Sequence, residues 1–208
     1  MIDSRILPLQ RAALQPGAEF LARYGVRADV ISMVGFLAGL GAFAALCFGI
    51  WLLALALILA NRLLDGLDGA VARIQGPTAR GAFLDIALDM VFYALIPLGF
   101  AVSAPDANAL PAAVLIVSFV GTGSSFLAFS AVAAKLGRNA PEFPTKGIYY
   151  AGGLAEGVET IAVFIAMCLF PGAFPIIAYG FAAICALTTL VRWRQAWLAF
   201  SGNDLKHD

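Results

Sequence analysis

Histidine is nearly missing from this chain. The single one, His207, lies close to the C-terminus, which leaves no material for a histidine-ligated metal or a histidine-based catalytic triad. Charge is scarce as well: 12% of residues are Asp, Glu, Lys or Arg, against about 25% in soluble domains. The 13 basic and 13 acidic residues cancel to a formal net charge of +0, so nothing in the overall balance suits nucleic acid. Cys47, Cys168 and Cys185 stand in apolar runs without CxxC or Cys/His spacing and read as small packing residues. Asp3, Arg5, Arg11, Glu19, Arg23 and Arg27 interrupt the N-terminal segment, so no cleavable signal peptide is expected there. No convincing repeat and no low-complexity segment is visible.

What the chain has in abundance is apolar side chain. It is 62% hydrophobic, well above the roughly 45–50% of soluble domains, and this composition specifies an integral membrane protein. A span takes roughly 20 mostly apolar residues. Six such segments are expected, at about 28–48, 51–73, 81–104, 109–134, 148–170 and 174–198. Gly49, Gly76-Pro77, Pro105-Asp106, Pro141 with Pro144, and Pro171-Gly172 punctuate them. Ahead of the spans, residues of about 4–23 mix Ile6, Leu7, Leu9, Leu14, Phe20 and Leu21 with arginines, the composition of an amphipathic helix lying on a membrane surface. The expected fold is all-α: one domain over 1–208, made of a surface helix region (1–27), a six-helix membrane bundle (28–200) and a tail (201–208). With six spans, the linkers near 49–50, 105–108 and 171–173 share one side and carry no Lys or Arg, whereas every basic residue except Arg62 falls toward the other side. The positive-inside rule then puts both termini and the loops at 74–80 and 135–147 in the cytoplasm.

Against this background the stretch "DGLDGAVAR" (Asp65 to Arg73) and the following "DIALD" (Asp85 to Asp89) stand out. Both belong to predicted spans joined by a short loop, so the two helices should be antiparallel neighbours. At about 100° per residue, Asp65, Asp68, Gly69 and Ala72 share one face, and Gly81, Asp85 and Asp89 share another. Turned together, these faces bring four carboxylates to a similar depth, on the order of 6–15 Å from the helix ends at ~1.5 Å rise per residue. An ionised Asp deep in a bilayer costs at least ~2.5–3.5 kcal/mol, and the four would repel one another. Only Arg62, Arg73 and Arg80 stand near enough in sequence to compensate. Divalent cations resolve both problems, and an all-oxygen donor set suits Mg²⁺, Mn²⁺ or Ca²⁺ rather than zinc. Paired Mg²⁺ or Mn²⁺ ions suit phosphoryl chemistry. Gly69 and Gly81 on the same faces would let a bulky ligand approach the backbone. The plain alternative is a set of helix-end carboxylates satisfied by arginine or water.

Asp65-xx-Asp68-Gly69-xx-Ala72-Arg73, seven residues, then Gly81-xxx-Asp85-xxx-Asp89 resembles the signature of the class I CDP-alcohol phosphatidyltransferases, with no departure at any of its positions. The six expected spans, surface helix and cytoplasmic ends are also similar to that family. The resemblance implies transfer of a phosphatidyl group from a CDP-linked lipid, usually CDP-diacylglycerol, to an alcohol acceptor, with release of CMP. It implies two bound ions, Mg²⁺ or Mn²⁺, held by Asp65, Asp68, Asp85 and Asp89, with Asp89 as general base on the acceptor hydroxyl. It implies a CDP site made by Asp65, Gly69, Ala72, Arg73 and Gly81. It also implies a homodimer, surrounding membrane lipids, and a bacterial inner-membrane location with the site facing the cytoplasm. Residues 25–32, "GVRADVIS", stand where many members carry a Thr-Pro-Asn-x-Leu-Thr type segment. Only Asp29 and Ser32 are comparable, and no role is assigned to them.

The acceptor is less legible. Within "KGIYYAGGLAEGVETI", Glu156 and Glu159 are spaced i,i+3 on one face. Intramembrane acids are functional candidates, able to orient acceptor hydroxyls or an arginine. Hydrogen bonding to Thr122, Ser124 or Ser125, or pairing with Arg62, is the structural alternative. Lys135, Arg138 and Lys146 could attract a phosphorylated acceptor or anionic lipid head groups, and positive-inside bias also accounts for them. The same region resembles a bacterial inner-membrane subgroup similar to phosphatidylglycerophosphate synthases. Glycerol 3-phosphate, inositol, a phosphorylated inositol and a phospholipid all remain open as acceptors. Small residues in "GTGSSFLAFSA" suit close helix packing, within the chain or between protomers, and Trp51, Trp193 and Trp197 suit interfacial belts. From a different class, a membrane transporter using the aspartates as a cation site is the competing function, although such proteins more often show repeated halves or broken spans.

Overall fold

The computed structural model describes residues 3–136 and 157–201, with side chains from residue 12 onward, and every regular element among them is helical. In chain order these are α1 (Asp3–Arg23), α2 (Ala28–Cys47), α3 (Trp51–Gln75), α4 (Ala79–Ser103), α5 (Pro105–Lys135), α6 (Gly157–Leu169) and α7 (Phe174–Phe200), with a 3₁₀ turn at Pro171–Ala173. Four are long and apolar enough to cross a membrane: α2, α4, α5, and α7 with its preceding turn. The helix α3 is as long as α4 but carries Arg62, Asp65, Asp68 and Arg73. The expected fifth span, 148–170, is described only from residue 157, where α6 begins.

Local chemistry accounts for the helix ends. Both α1 and α2 stop in Schellman motifs, in which a left-handed residue lets two backbone N–H groups reach back to orphan carbonyls. Gly25 (φ 71°) and Gly49 (φ 70°) supply that residue. Gly25 N–H bonds Ala22 O and Val26 N–H bonds Leu21 O, both at 3.1 Å; Gly49 N–H bonds Leu46 O at 3.0 Å and Ile50 N–H bonds Ala45 O at 2.9 Å. Thr78 caps α4, its Oγ1 accepting the Gly81 N–H at 3.0 Å. One boundary departs from expectation. Pro105-Asp106 reads as a break, with the fourth span resuming at 109, whereas Pro105 is the first residue of α5. Proline at that position loses nothing, because the first-turn N–H groups have no helical partner. Asn108 seals the corner by donating to Phe100 O at 2.9 Å.

The helix α2 packs against both α3 and α4, α5 joins α4 to α7, α6 lies on α3 and α7, and α1 packs on α3. Phe92, Ile96 and Phe100 of α4 form the centre of the core with Phe164, Phe174, Leu46 and Ile58. Trp51, Phe100 and Phe174 stack in sequence, with centroids 5.3 and 4.5 Å apart. The outside is equally apolar: Leu52 is 74% exposed and Ile176 80%. In water such a surface would be an aggregation hazard; for helices of this length it is a lipid-facing wall. Contact between α1 and the bundle is made by the small residues Gly17 and Ala18 together with the half-buried Leu21. Ala18 is fully buried against Ile31, Ala70 and Val71, while the Phe20 and Tyr24 rings meet at a tilt of 51° on the exposed side.

Candidate metal and nucleotide site

The acids converge where the C-terminal half of α3 faces the N-terminal half of α4. One carboxylate oxygen from each of Asp65, Asp68 and Asp85 lies within 4.8 Å of the others. Opposite ligands of an octahedral ion at ~2.1 Å bonds are about 4.2 Å apart, so a small closing movement turns this trio into a binding set. The donors are all oxygen and anionic, which fits Mg²⁺ or Mn²⁺. Asp68 is the most buried of the three. Its Oδ2 accepts a 2.5 Å hydrogen bond from Ser32 Oγ on α2, fixing which way the carboxylate points.

Asp89 lines the same cavity but is held differently. Arg62 grips it in a two-pronged pair, Nη2 to Oδ1 at 2.7 Å and Nη1 to Oδ2 at 3.4 Å, and also stands 3.6 Å from Asp65 Oδ2. Four carboxylates therefore meet a single guanidinium, leaving a formal surplus of three negative charges among these side chains. Of the other cations near in sequence, Arg80 pairs with Asp29 at 3.6 Å, and Arg73 lies over Gly69, its Nη1 3.6 Å from where a Cβ would stand.

Arg62 is itself tightly seated. Its Nε donates to Asn61 Oδ1 at 2.7 Å and Nη1 to Tyr93 Oη at 3.3 Å. The guanidinium carbon lies 4.5 Å from the centroid of the Phe92 ring and 5.4 Å from that of Tyr93, within cation–π range. Asn61 is buried and donates from Nδ2 to Gly35 O on α2 at 2.8 Å. The approach of α2 depends on glycine: a Cβ on Gly35 would lie 3.2 Å from Leu64 Cβ, and one on Gly39 only 2.8 Å from Phe92.

Beside the acids a cleft of ≈ 450 Å³ opens between α2, α3 and the start of α4, and Gly69, Ala72, Arg80 and Gly81 line it. Ser32, Asp68 and Asp85 line both spaces, so cleft and acid cavity adjoin. Arg73 and Asp65, expected at the nucleotide site, are not among the residues lining the cleft; Asp65 faces the acid cavity instead. Asp29, with no role expected, stands at the cleft between Arg27 (3.2 Å) and Arg80.

Of the acceptor candidates, Arg62 alone is brought to the acids among the described residues. Lys135 ends α5 as an exposed side chain. Arg138, Lys146 and Glu156 lie outside the described residues. Glu159 starts α6, and its Oε2 is buried without a hydrogen-bond partner among the described residues. The expected alternative partners are engaged elsewhere: the hydroxyls of Thr122, Ser124 and Ser125 bond carbonyls of their own helix. Asn61, Tyr93 and Ser32 are site residues that sequence reasoning missed. Tyr93 had a legible signal, one helical turn after Asp89, and Asn61 is a lone amide next to Arg62 in an apolar run.

A family model described as CDP-alcohol phosphatidyltransferase matches residues 26–200. Inner membrane protein YnjF of Escherichia coli is 47% identical over 198 residues, covering 95% of this chain and 96% of that protein. The archaetidylinositol phosphate synthase of Methanothermobacter thermautotrophicus is 32% identical over 161 residues, covering 76% of this chain and 73% of that one. Mycobacterium tuberculosis phosphatidylinositol phosphate synthase (PgsA1), with CDP-DAG bound, gives a TM-score of 0.68 at 21% identity over 94% of this chain and 98% of that chain. In complex with manganese and citrate it gives 0.69 at 22% identity over 93% of each. At such identity the likeness is one of fold.

Proposed function

This chain belongs to the CDP-alcohol phosphatidyltransferase family, an enzyme family of phospholipid synthesis, and from that premise we propose that it transfers a phosphatidyl group from CDP-diacylglycerol to an alcohol and releases CMP. Membership in an enzyme family removes the transporter alternative. The observation that carries the reading is the convergence of Asp65, Asp68 and Asp85 beside a nucleotide-sized cleft whose wall Asp68 and Asp85 also form; small-molecule sites run to about 300–1,000 Å³.

In this reading the trio holds one ion, and Asp89 with Asp65 and Asp85 holds a second. Divalent ions there supply the charge that neutralises the pyrophosphate and the departing CMP. Gly69, Ala72 and Gly81 leave the cleft wall low enough for the nucleotide to lie against backbone, with Arg73 at its edge. Ser32 keeps Asp68 aimed at the cavity. The acceptor oxygen forms a bond to the lipid-side phosphorus as the bond from that phosphorus to CMP breaks. The hydroxyl proton passes to Asp89. A carboxylate is a weak base, but the hydroxyl grows more acidic as its bond to phosphorus forms.

The spans fit as α2, α3, α4, α5, a fifth ending in α6, and α7, with α1 on the membrane surface. The charges of α3 run from Arg62 near its middle to Arg73 in its last turn, toward the end the positive-inside rule assigns to the cytoplasm. Both termini and the site then face the cytoplasm of a bacterial inner membrane, with the protein as a homodimer among membrane lipids. Glycerol 3-phosphate is one acceptor; the archaetidylinositol phosphate synthase relative favours a phosphorylated inositol as the other. Purified protein with CDP-diacylglycerol, Mg²⁺ or Mn²⁺ and a panel of alcohols is the test. CMP should appear with one alcohol and stop on chelation; no CMP with any member of the panel would refute the reading.

A further inference from the structure

Arg62 lies outside the aspartate signature, one turn before Asp65, yet it holds the one signature aspartate that does not join the carboxylate trio. We propose that Arg62 is a built-in counterion that occupies Asp89 until a second divalent ion displaces it, so that the two ions load in order. The inference rests on the metal-dependent reading above and deepens it.

Three observations support displacement over coexistence. The guanidinium contacts both Asp89 oxygens, so an ion reaching this carboxylate meets a cation already seated on it and has to overcome its repulsion. The free space inside the acid cavity is ≈ 20 Å³. A single water needs about 10–15 Å³, so two ions with their ligands do not fit among these side chains as they stand, and Arg62 is the cation among them that can give way. Finally, the seat of Arg62 is built to survive the exchange. Its Nε bond to Asn61 and its packing on the Phe92 and Tyr93 rings do not involve the Asp89 carboxylate, and Nη1, shared between Asp89 and the Tyr93 hydroxyl, keeps the hydroxyl as a partner. Letting go of the carboxylate therefore does not strand a bare guanidinium in an apolar core, which would otherwise forbid the movement. The trio has no such competitor at Asp68 or Asp85 among the described side chains, and it loads first.

The test uses full-length protein in detergent and Mn²⁺ alone, with binding followed by the electron paramagnetic resonance of free ion and by thermal unfolding. Wild type should bind one Mn²⁺ tightly and a second more weakly. Arg62→Gln should tighten the second site by about 5–150-fold, the usual range of coupling between sites, and move the first less. It should also lower the unfolding temperature without metal and enlarge the rise on adding Mn²⁺. Arg62→Lys, which keeps the charge but loses the two-pronged grip, should fall between the two and serves if the glutamine variant does not fold. A second-site affinity that is unchanged or weaker in both variants overturns the proposal while leaving the metal reading intact. Wild type that binds no Mn²⁺ overturns both. A merely structural arginine would lower stability but would not tighten an ion.

Discussion

Replacing Asn61 with leucine tests whether the arginine seat is built as described. Asn61 is 4% exposed and makes two hydrogen bonds, one to Gly35 O and one from Arg62 Nε. The first is a neutral interhelical bond, about 0.5–1.5 kcal/mol, with intramembrane cases averaging near 0.6. The second involves a charge, about 1.5–3 kcal/mol. Leucine has the branching and heavy-atom number of asparagine and leaves no cavity, and the two lost bonds total about 2–4.5 kcal/mol. For a chain of this length that is a fall in Tm of about 5–15 °C. The assay is thermal unfolding in detergent, run as a double-mutant cycle with Arg62→Gln. In the Arg62→Gln background the cost of Asn61→Leu should shrink to the Gly35 bond alone, about 0.5–1.5 kcal/mol, because contacting residues are not additive. Equal costs in the two backgrounds would refute the claim that Asn61 seats the guanidinium.

Asp89→Asn should abolish CMP release while unfolding remains cooperative; near-normal turnover would remove Asp89 from the base role. Ser32→Ala removes the donor that aims Asp68 and should weaken the tighter Mn²⁺ site by about 10–100-fold, the usual cost of losing an outer-shell partner, with little change in Tm. Gly39→Ala would place a Cβ 2.8 Å from Phe92, which is buried and cannot yield; a loss of about 1–3 kcal/mol is expected from overpacking, read by the same unfolding assay.

The helix positions and the paired acidic faces were legible because both rest on local periodicity. Helix starts at Ala28 and Trp51 and the capped entry of α4 follow from nearby turn chemistry. The start of α5 was misread because Pro105 both breaks and opens helices, and only the one-residue corner at Ala104 decides between them. Other details depended on register between distant segments. That Ser32 reaches Asp68 across 36 residues of sequence, or that Gly35 O receives Asn61, is set by how α2 lies on α3. The split of the acids into a trio and an arginine-held fourth was likewise invisible, since spacing gives faces but not which side chain Arg62 selects. The mixed composition of α1 suggested a surface helix but not which of its residues meet the bundle; Gly17 and Ala18 come close to α3 because small residues allow it.

The most direct test of phosphatidyl transfer asks which phosphorus moves. CDP-diacylglycerol labelled at the lipid-side phosphate is incubated with the purified protein, Mn²⁺ and the acceptor that supports CMP release. Label should appear in the new lipid joined to the acceptor, with unlabelled CMP released, and both should vanish in Asp85→Asn. Label recovered in a phosphatidic acid product regardless of acceptor, or no acceptor-joined lipid at all, would contradict the central claim.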